Sequence, residues 1–469
     1  MQIREITVLR GPNYWSVKHK NLIQILLDIE DLEYKPTNKI PGFYDRLQLL
    51  LPSFYAHECS EGHPGGFFAR VKEGTWMGHV IEHIALEIQS LSGIEVGFGR
   101  TRGTGKEGCY TVVFSYAEER SGIYAANAAV RIAEALIKGE NYDLQKDIRT
   151  IHDLWVQEKL GPSTGSIVHE AGKRNIPYIR LDNNSLVQLG YGIRQKRIDA
   201  TITSQTNQIA VDIAGNKEAA KNLLTAAMIP VADGQTISDV KNLDQVIQLI
   251  NYPIVIKPLN ANHGKGATVN INNYLCAVRA FERAQKFSRQ VIVEKYITGY
   301  DYRILVINYK FVAASLRKPA FVIGNGRDTV KELIEIVNKD PRRGNDHEKP
   351  LTKINIDEVL LEWIEKFNCT LDTILPFGQE LSLKPTANLS TGGTATDVTD
   401  EVCETNIALF ERISKIIGLD ICGIDVMAPQ LKTPIKENGG VVLEINAAPG
   451  FRMHIEPSYG KKRDVGKAV

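Results

Sequence analysis

V-V-L-E-I-N-A-A-P-G-F-R-M-H, at residues 441–454, is the stretch that says most about how this chain folds. It starts with a β-branched run in which Glu444 and Asn446 are two residues apart. Alternate residues of a strand point to one face, so these two side chains project together. Asp425 lies in a second run of this kind, I-D-V-M at 424–427. Oxygen ligands in such an array suit Mg²⁺ held together with nucleotide phosphates.

A lysine-ending strand and a glycine loop lie upstream of these runs. Y-P-I-V-I-K-P at 252–258 is typical of a buried strand with Lys257 near its end, and N-A-N-H-G-K-G follows at 260–266. Glycines in such a loop let backbone N–H groups approach phosphate oxygens closely. The loop matches neither the Walker A nor the dinucleotide-binding pattern, and a plain hairpin turn is the alternative. The run V-I-V-E-K-Y-I at 291–297 completes an ordered set of motifs.

The composition indicates a multidomain chain without a strong overall charge. At 469 residues it is too long for a single core, and 56 basic against 55 acidic side chains leave a net charge of +1. No global field therefore favours nucleic acid or a membrane as partner, and we interpret the pair Arg342-Arg343 as solvated surface. Six scattered cysteines without a C-x-x-C motif suit a reducing compartment. Because no signal peptide or membrane-spanning run is evident, we expect a cytoplasmic protein.

The order of strand and helix patterns divides the chain near residue 160. Residues 1–160 carry strand and long helix patterns in the order of an α+β domain. From residue 161 to 469, strand and helix patterns alternate, as in α/β layers. We place a lid at about 225–300 and a polar insertion with small helices at about 325–384.

Taken together, the ordered motifs resemble the ATP-grasp ligases, whose two subdomains clamp ATP between them. Longer strings along the whole chain are similar to the cyanophycin synthetase family. These strings are R-G-P-N-Y-W-S (10–16), G-F-G-R-T-R (97–102), L-G-P-S-T (160–164), Q-L-G-Y-G-I-R-Q-K-R-I (188–198), N-H-G-K-G (262–266), A-N-L-S-T-G-G (387–393) and E-I-N-A-A-P-G-F-R-M-H (444–454). The resemblance implies an N-terminal α+β domain followed by an ATP-grasp fold with a helical and loop insertion.

The resemblance also implies an activity. In that family the ATP-grasp domain adds L-aspartate to the C-terminus of a poly-aspartate backbone, and a Mur-ligase-like domain then adds arginine to the β-carboxylate. The implied cofactors are ATP and Mg²⁺, and the implied partners are L-aspartate and a cyanophycin-like peptide polymer. A homo-oligomer, dimer or tetramer, is implied as well.

The chain departs from the family in one large respect. It stops at Val469 and contains no G-x-x-x-x-G-K-[ST] motif for a second ligase. The arginine-adding activity therefore has no residues here to carry it. A truncated form and a short relative working alone both fit this observation.

The implied chemistry is acyl-phosphate formation, in which a carboxylate attacks the γ-phosphorus of ATP and an amine then displaces phosphate. Positioning and charge neutralisation dominate such catalysis. We expect Asp425, Glu444 and Asn446 to hold Mg²⁺. The expected ATP contacts are Lys221, Lys257, His263, Gly264, Lys265 and Gly266, with Glu294, Lys295, Tyr296 and Ile297 as the hinge under adenine.

A further set of residues is expected to hold the acid substrate. Arg303, in G-Y-D-Y-R-I-L at 299–305, offers a bidentate fork for a carboxylate, and an ordinary ion pair is the alternative. A hydroxyl-glycine loop is expected to cradle the chain-end carboxylate through its N–H groups; it comprises Ser390, Thr391, Gly392 and Gly393. His263 and Arg452 are further candidate contacts. Arg303 and Ser390 are the candidate catalytic residues, and no residue stands out as the base for the incoming amine.

The N-terminal region carries a second motif. In H-V-I-E-H at 79–83, a helix pattern puts His79 and His83 side by side at i and i+4, which is zinc-ligand geometry. H-x-x-E-H is the inverzincin order, with Glu82 as general base. Such peptidases take a third ligand from a downstream glutamate, for which the candidates are Glu158 and, as alternatives, Glu87 and Asp153. Some cyanophycin synthetases are thought to cut polymer into primers at such a site.

Three functions stand as hypotheses. The first is an ATP-dependent ligase that adds aspartate to a peptide chain end. The second is a zinc hydrolase of the same polymer, working on its own domain. In the third, the N-terminal domain only tethers polymer, and its exposed histidines are incidental. Another ATP-grasp peptide ligase, or a truncated form that only binds polymer and ATP, is the alternative to the first.

Overall fold

The computed structural model describes residues 1–260, 266–345 and 349–469. The chain divides into two compact units, Met1–Lys159 and Leu160–Val469. Within the described ranges, no helix combines the length and the apolar character needed to cross a bilayer.

The first unit packs helices against one antiparallel sheet, in the order β1-β2-β4-β3. Its strands are β1 (Gln2–Arg10), β2 (Asn21–Asp28), β3 (Gly99–Gly103) and β4 (Cys109–Ser115), and its helices are α1 (Phe43–Leu50), α2 (Gly66–Glu73), α3 (Met77–Leu91), α4 (Glu119–Lys138) and α5 (Leu144–Glu158). Val80, Ile81 and Ile84 of α3 are fully buried in the core, because they recur at helical spacing. Just beyond α3, Gly93 adopts a left-handed φ of 85°, as helix ends commonly require.

The second unit contains three larger sheets and a small insertion. Its strands are β5 (Tyr178–Arg180), β6 (Leu186–Leu189), β7 (Lys196–Asp199), β8 (Ile202–Thr203), β9 (Gly234–Ile237), β10 (Ile254–Pro258), β11 (Thr268–Ile271), β12 (Val291–Lys295), β13 (Tyr300–Ile307), β14 (Lys310–Lys318), β15 (Phe321–Ile323), β16 (Arg343–Gly344), β17 (Leu351–Thr352), β18 (Glu380–Ser382), β19 (Thr394–Asp397), β20 (Ile421–Ala428) and β21 (Val441–Asn446). Its helices are α6 (Pro162–Lys173), α7 (Gln208–Gly215), α8 (Lys217–Ala226), α9 (Leu243–Ile250), α10 (Tyr274–Gln285), α11 (Val330–Asn338), α12 (Glu358–Glu365), α13 (Glu404–Ile417) and α14 (Arg452–Ile455).

A five-stranded antiparallel sheet, β19-β14-β13-β20-β21, forms the centre of the second unit. One face carries apolar side chains such as Ile304, Ile424 and Val426, which are fully buried beneath α13. The other residues of these strands alternate with them and point to the opposite face. That second face carries the polar side chains described below.

A second four-stranded sheet, β11-β10-β12-β9, has its own small core around Phe281 of α10. It lies within 225–300, the range in which we expect the lid. The predicted insertion likewise has a separate core, which includes Val330 and Leu333 of α11 and Leu360 of α12. The first turn of α11 is closed by a reciprocal capping box between Thr329 and Glu332, which satisfies backbone donors at that helix end.

Candidate active site

A row of polar residues crosses four adjacent strands of the central sheet. Ser315 of β14 pairs with Arg303 of β13, Arg303 pairs with Asp425 of β20, and Asp425 pairs with Glu444 of β21. Directly opposed residues on neighbouring strands have side chains on the same face and within contact distance. Asn446, two residues beyond Glu444, projects from this face as well. The structure thus brings the predicted metal ligands together with the predicted substrate arginine.

Asp425 is held by two arginines. Its Oδ1 lies 2.5 Å from Arg303 Nε, and its Oδ2 lies 3.1 Å from Arg317 Nη2. Arg317 also donates to Asp301, at 2.6 Å from Nη2. Burial would lower the pKa of Arg317, but the charges of Asp425 and Asp301 outweigh it and raise that pKa; burial raises the pKa of Asp301 despite Arg317. A cation that binds Asp425 therefore competes with Arg303 and Arg317 for the same oxygens.

The residues around Asp425 fit a magnesium ion. Hard oxygen ligands from one or two carboxylates are what Mg²⁺ requires from protein beside phosphate, and Asp425 and Glu444 lie directly opposite one another. The side-chain nitrogen of Asn446 is buried, and no hydrogen-bond partner for it exists among the described residues. That amide nitrogen is accordingly not committed to a partner within the described part of the chain.

A cleft of about 420 Å³ beside this row is lined by lysines. Lys221 Nζ lies 2.8 Å from Glu294 Oε1, and Lys257 Nζ lies 2.7 Å from Glu294 Oε2. Glu294 itself is buried. Burial would raise the pKa of Glu294, but the charges of Lys257 and Lys221 outweigh this effect and lower it. Glu444 also lines the cleft, so the predicted metal and phosphate residues share one space.

Sequence reasoning missed one lysine of this cleft. Lys217 lines it one helical turn before Lys221. Burial lowers the pKa of Lys217, and the charge of Glu444 opposes this while that of Lys257 adds to it. The signal was present in N-K-E-A-A-K at 216–221, where the i and i+4 spacing puts both lysines on one face.

The predicted hinge follows Glu294 at the end of β12. The backbone N–H of Lys295 donates to Asp233, and that of Tyr296 donates to Pro253. Lys295 Nζ donates to the carbonyl of Tyr252 at 2.9 Å, and Ile297 is half-buried. In the glycine loop, Gly266 has a left-handed φ of 73°. His263, Gly264 and Lys265 lie outside the described residues.

The hydroxyl-glycine loop packs tightly behind an exposed serine. Ser390 is exposed, and Thr391 Oγ1 donates to the carbonyl of Asn388 at 3.0 Å. Gly392 has a left-handed φ of 94°. A Cβ on Gly393 would lie 2.7 Å from the Asn388 oxygen, so only glycine fits there without a shift.

Two arginines near this loop are buried rather than solvated. The interpretation of Arg343 as surface was wrong, because only 6% of it is exposed and its Nη1 donates to the carbonyl oxygens of Thr352 and Gly392. Arg452 is buried too, and its Nη2 donates to Thr352 Oγ1 at 3.2 Å. Burial lowers the pKa of Arg452.

In the first unit, Cys59 joins the two predicted histidines. One ligand atom from each of Cys59, His79 and His83 lies within 4.8 Å of the other two. Cys59 Sγ is 3.3 Å from His79 Nε2, and His57 Nδ1 is 3.0 Å from His83 Nδ1. Burial lowers the pKa of His79 to about 4, so its imidazole is neutral near pH 7 and one ring nitrogen has a lone pair for metal coordination.

The carboxylates of the motif take other positions than expected. Glu82, His83 and Glu87 are buried, so these side chains do not form an exposed face. Glu82 accepts a hydrogen bond from Thr101 at 2.7 Å, and burial raises its pKa to about 7. Glu87 accepts from His57 Nε2 at 2.6 Å.

The structure does not bring Glu158 to the histidines. Its carboxylate accepts from the backbone N–H of Arg120. His152, on the same helix α5, contacts Ser92 just past the far end of α3, about 20 Å along the axis from His79 at 1.5 Å per residue. Asp153, the neighbour of His152, is likewise not part of the described Cys59–His79–His83 group. Cys59 escaped sequence reasoning because nothing in its local pattern points to the helix that it contacts.

Comparisons with known proteins match both units. Residues 24–138 match a family model described as the cyanophycin synthase-like N-terminal domain. Residues 215–316 match the model described as phosphoribosylglycinamide synthetase, ATP-grasp (A) domain. The whole chain is 49% identical to the cyanophycin synthetase of Trichormus variabilis, of which it covers 52%, and 47% identical to that of Synechocystis, of which it covers 54%.

This chain carries a cyanophycin synthetase-like N-terminal domain and an ATP-grasp domain. The resemblance stated from its motifs is thereby confirmed, and the chain spans about half the length of these curated relatives. It is also 32% identical over 315 residues, 66% of this chain and 42% of the relative, to a glutathione biosynthesis bifunctional protein of Pasteurella multocida.

A solved structure supports the predicted fold class. The crystal structure of a bifunctional glutathione synthetase from Pasteurella multocida aligns with 74% of this chain and 51% of its own, at 27% identity and a TM-score of 0.53. The prediction of an α+β unit followed by an ATP-grasp fold is confirmed. These similarities support an ATP-dependent ligase related to the cyanophycin synthetases.

Proposed function

We propose that this chain is an ATP-dependent carboxylate–amine ligase that adds L-aspartate to the C-terminus of a poly-aspartate, cyanophycin-like backbone. The observation that carries the proposal is the in-register row Arg303–Asp425–Glu444, in which a guanidinium lies beside two carboxylates. The lysine-lined cleft adjoins this row at Glu444.

In the proposed reaction, Lys217, Lys221 and Lys257 bind the triphosphate. Their charges neutralise phosphate oxygens, and Glu294 keeps Lys221 and Lys257 in place before the nucleotide arrives. Asp425, Glu444 and Asn446 would hold Mg²⁺. When bound, that ion would neutralise charge on the β- and γ-phosphates.

Arg303 orients the carboxylate of the acceptor chain end, and the N–H groups of the 390–393 loop hold the same end of the peptide. One carboxylate oxygen attacks the γ-phosphorus, ADP leaves, and an acyl phosphate forms. The amine of L-aspartate then attacks the acyl carbon, inorganic phosphate leaves, and the new amide loses its extra proton to solvent. Fixed charges and positioning supply most of the rate in such reactions.

The test is phosphate release from ATP in the presence of L-aspartate and a short aspartyl peptide. We expect release that requires both compounds, together with a product one aspartate longer by mass. Arg303→Gln should raise the KM for the peptide, while Arg412→Gln, an exposed arginine of α13, serves as the matched control. Equal phosphate release with any amino acid would overturn the aspartate assignment and favour a generic peptide ligase.

We propose a zinc-dependent hydrolase of the same polymer as a second function, located in the first unit. The group Cys59–His79–His83 supports it, because Cys and His in close approach are the ligands that Zn²⁺ prefers. The ion would supply a Lewis acid that activates water. Glu82, whose pKa burial raises to about 7, is the candidate for the proton-transfer group.

Metal analysis and a cleavage assay test this second function. We expect about one zinc per chain, reduced in Cys59→Ala and in His79→Ala, and polymer cleavage that Glu82→Gln abolishes. Cys276→Ala, at an exposed cysteine of the second unit, is the control for thiol loss. Purified protein without zinc and unchanged cleavage in Glu82→Gln would leave a polymer-tethering role for this unit.

A further inference from the structure

The ion pair between Arg303 and Asp425 joins two residues to which the proposed reaction gives different ligands. Arg303 is assigned to the carboxylate of the acceptor, and Asp425 is assigned to Mg²⁺. In this structure the two side chains bind each other, with Arg303 Nε 2.5 Å from Asp425 Oδ1 and Arg303 Nη2 3.3 Å from Asp425 Oδ2. Only 12% of the arginine side chain and 11% of the aspartate side chain are exposed, so water screens the pair poorly.

This contact occupies the edge of the guanidinium that would bind the acceptor. Nε and Nη2 are neighbouring donors that together match the two oxygens of a carboxylate. The remaining nitrogen, Nη1, lies beside the backbone of Gly423, because a Cβ added at that glycine would be 3.1 Å from it. The same Cβ would lie 2.7 Å from Pro449 Cβ, so this side of the guanidinium is crowded. Asp425 and the acceptor carboxylate therefore compete for Nε and Nη2.

Arg317, the second partner of Asp425, is held more firmly than Arg303. Its Nε and Nη2 donate to Asp301 Oδ1 at 2.9 and 2.6 Å, in addition to the ion pair with Asp425. Within the described part of the chain, Arg303 Nε and Asp425 Oδ1 lie close together but form no hydrogen bond. The hydrogen bond of this pair is the 3.3 Å contact from Nη2. Asp425 can therefore exchange Arg303 for another partner while Arg317 stays in place.

We propose that Asp425 blocks Arg303 until the metal binds, so that the chain binds the acceptor carboxylate tightly only when Mg²⁺ is present. Once Asp425 turns to the cation, its charge no longer offsets that of Arg303, and Nε and Nη2 become free for the chain end. Binding of metal and binding of acceptor then favour each other, because coupling between two sites is reciprocal. The role of Arg303 as the acceptor site rests on the proposed ligase function.

The test is calorimetric titration of the full chain with N-acetyl-diasparagine, whose only charged group is the chain-end carboxylate. Its amide side chains match a backbone in which the β-carboxylates are joined to arginine. ADP is present throughout, so that no turnover occurs, and Mg²⁺ is compared with EDTA. We expect an affinity that is about fivefold or more higher with Mg²⁺, as is usual for coupled sites. The C-terminal amide of the peptide should show no such difference, and equal affinity of the free acid in the two conditions would overturn the proposal.

Two variants separate the release of Arg303 from simple attraction between metal and peptide. In Asp425→Asn, Arg303 loses its charged partner, so the affinity in EDTA should rise about fivefold or more and Mg²⁺ should raise it no further. Glu444→Gln removes the same charge one strand further from Arg303, so its affinity in EDTA should stay within about twofold of the parent chain. Equal affinities of all three forms in EDTA, or an equal rise in both variants, would overturn the proposal. If Asp425→Asn does not fold, the comparison within the parent chain decides.

Failure of the ligase function and failure of this proposal give different results. Metal-dependent peptide binding with a selective rise in Asp425→Asn, but without aspartate-dependent phosphate release from ATP, would refute the ligase function alone. Aspartate-dependent phosphate release with the same peptide affinity in Mg²⁺ and in EDTA would refute the blocking role of Asp425 alone.

Discussion

Glu294 is a buried carboxylate between two lysines, and we expect its removal to lower the free energy of unfolding. Glu294→Gln leaves Lys221 and Lys257 without their partner inside the cleft. Breaking a buried pair costs ~3–5 kcal/mol, and because both lysines retain some solvent contact we expect about 2 kcal/mol. Chemical denaturation of the purified protein measures this loss. Glu282→Gln on the exposed side of α10 is the control and should change stability by less than about 0.5 kcal/mol.

The same carboxylate makes stability depend on pH. Because the folded-state pKa of Glu294 is below its ordinary value of 4.5, its contribution is fully present above about pH 5. That contribution is lost as the pH falls through the lower, folded-state pKa. The difference in unfolding free energy between the parent chain and Glu294→Gln should therefore be largest near neutral pH and shrink below pH 4. A difference that is constant from pH 7 to pH 3.5 would contradict this assignment.

Single residues show where sequence reasoning stops. That Glu444 and Asn446 project to one face was predictable, because strand periodicity fixes which side chains of a strand share a face. The burial of Arg343 was not predictable, because an Arg-Arg pair is usually solvated and only the packing of distant segments can bury it. Cys59 was not predictable either, because its neighbours in space are one helix away and only tertiary packing brings them together.

At the scale of elements, the 390–393 loop is shaped by two adjacent glycines. In Gly393→Ala the new Cβ would meet carbonyl oxygens at 2.7 and 2.8 Å, so the loop must shift. We expect the KM for the acceptor peptide to rise about tenfold or more, while the KM for ATP stays within about twofold. Steady-state kinetics with each substrate varied in turn measures both quantities.

Gly172→Ala is the matched control for that substitution. Gly172 lies in α6, and nothing lies within 4 Å of an added Cβ there. Alanine should stabilise this helix by up to about 1 kcal/mol and leave both KM values unchanged. If Gly393→Ala behaves like Gly172→Ala, the loop does not hold the peptide.

Helices and strands with a strong hydrophobic periodicity were predicted well, but the strands that pair with one another were not. The helix pattern at 75–92 corresponds to α3, and the run at 252–258 contains β10. Which strand lies beside which depends on contacts between distant parts of the chain. The pairing of Arg303 with Asp425, across 122 residues, is of this kind and no local rule supplies it.

At the scale of the molecule, each unit has a core of its own. One hydrophobic cluster lies wholly within Met1–Lys159, and the others lie within Leu160–Val469. We therefore expect the fragments 1–159 and 160–469 each to fold alone. MgATP should raise the melting temperature of fragment 160–469 and leave that of fragment 1–159 unchanged, because bound ligand stabilises only what it binds.

Calorimetry on both fragments measures this, with MgADP as a second ligand. A fragment 1–159 that has no cooperative transition would show that its core does not suffice. An unmoved transition of fragment 160–469 would count against the nucleotide cleft itself. The domain limits near 160 were predicted from a change of pattern, and this experiment is their direct test.

The pairing of β20 with β21 also decides which length changes the chain can tolerate. Deleting Ile445 would turn Asn446 away from the face that it shares with Glu444, since side chains alternate along a strand. Lys436 and Glu437, by contrast, are exposed in the connection between the two strands. Insertions in this connection leave the strand pairing intact. We therefore expect natural or engineered variants to carry insertions there and to lack single-residue deletions within the strand.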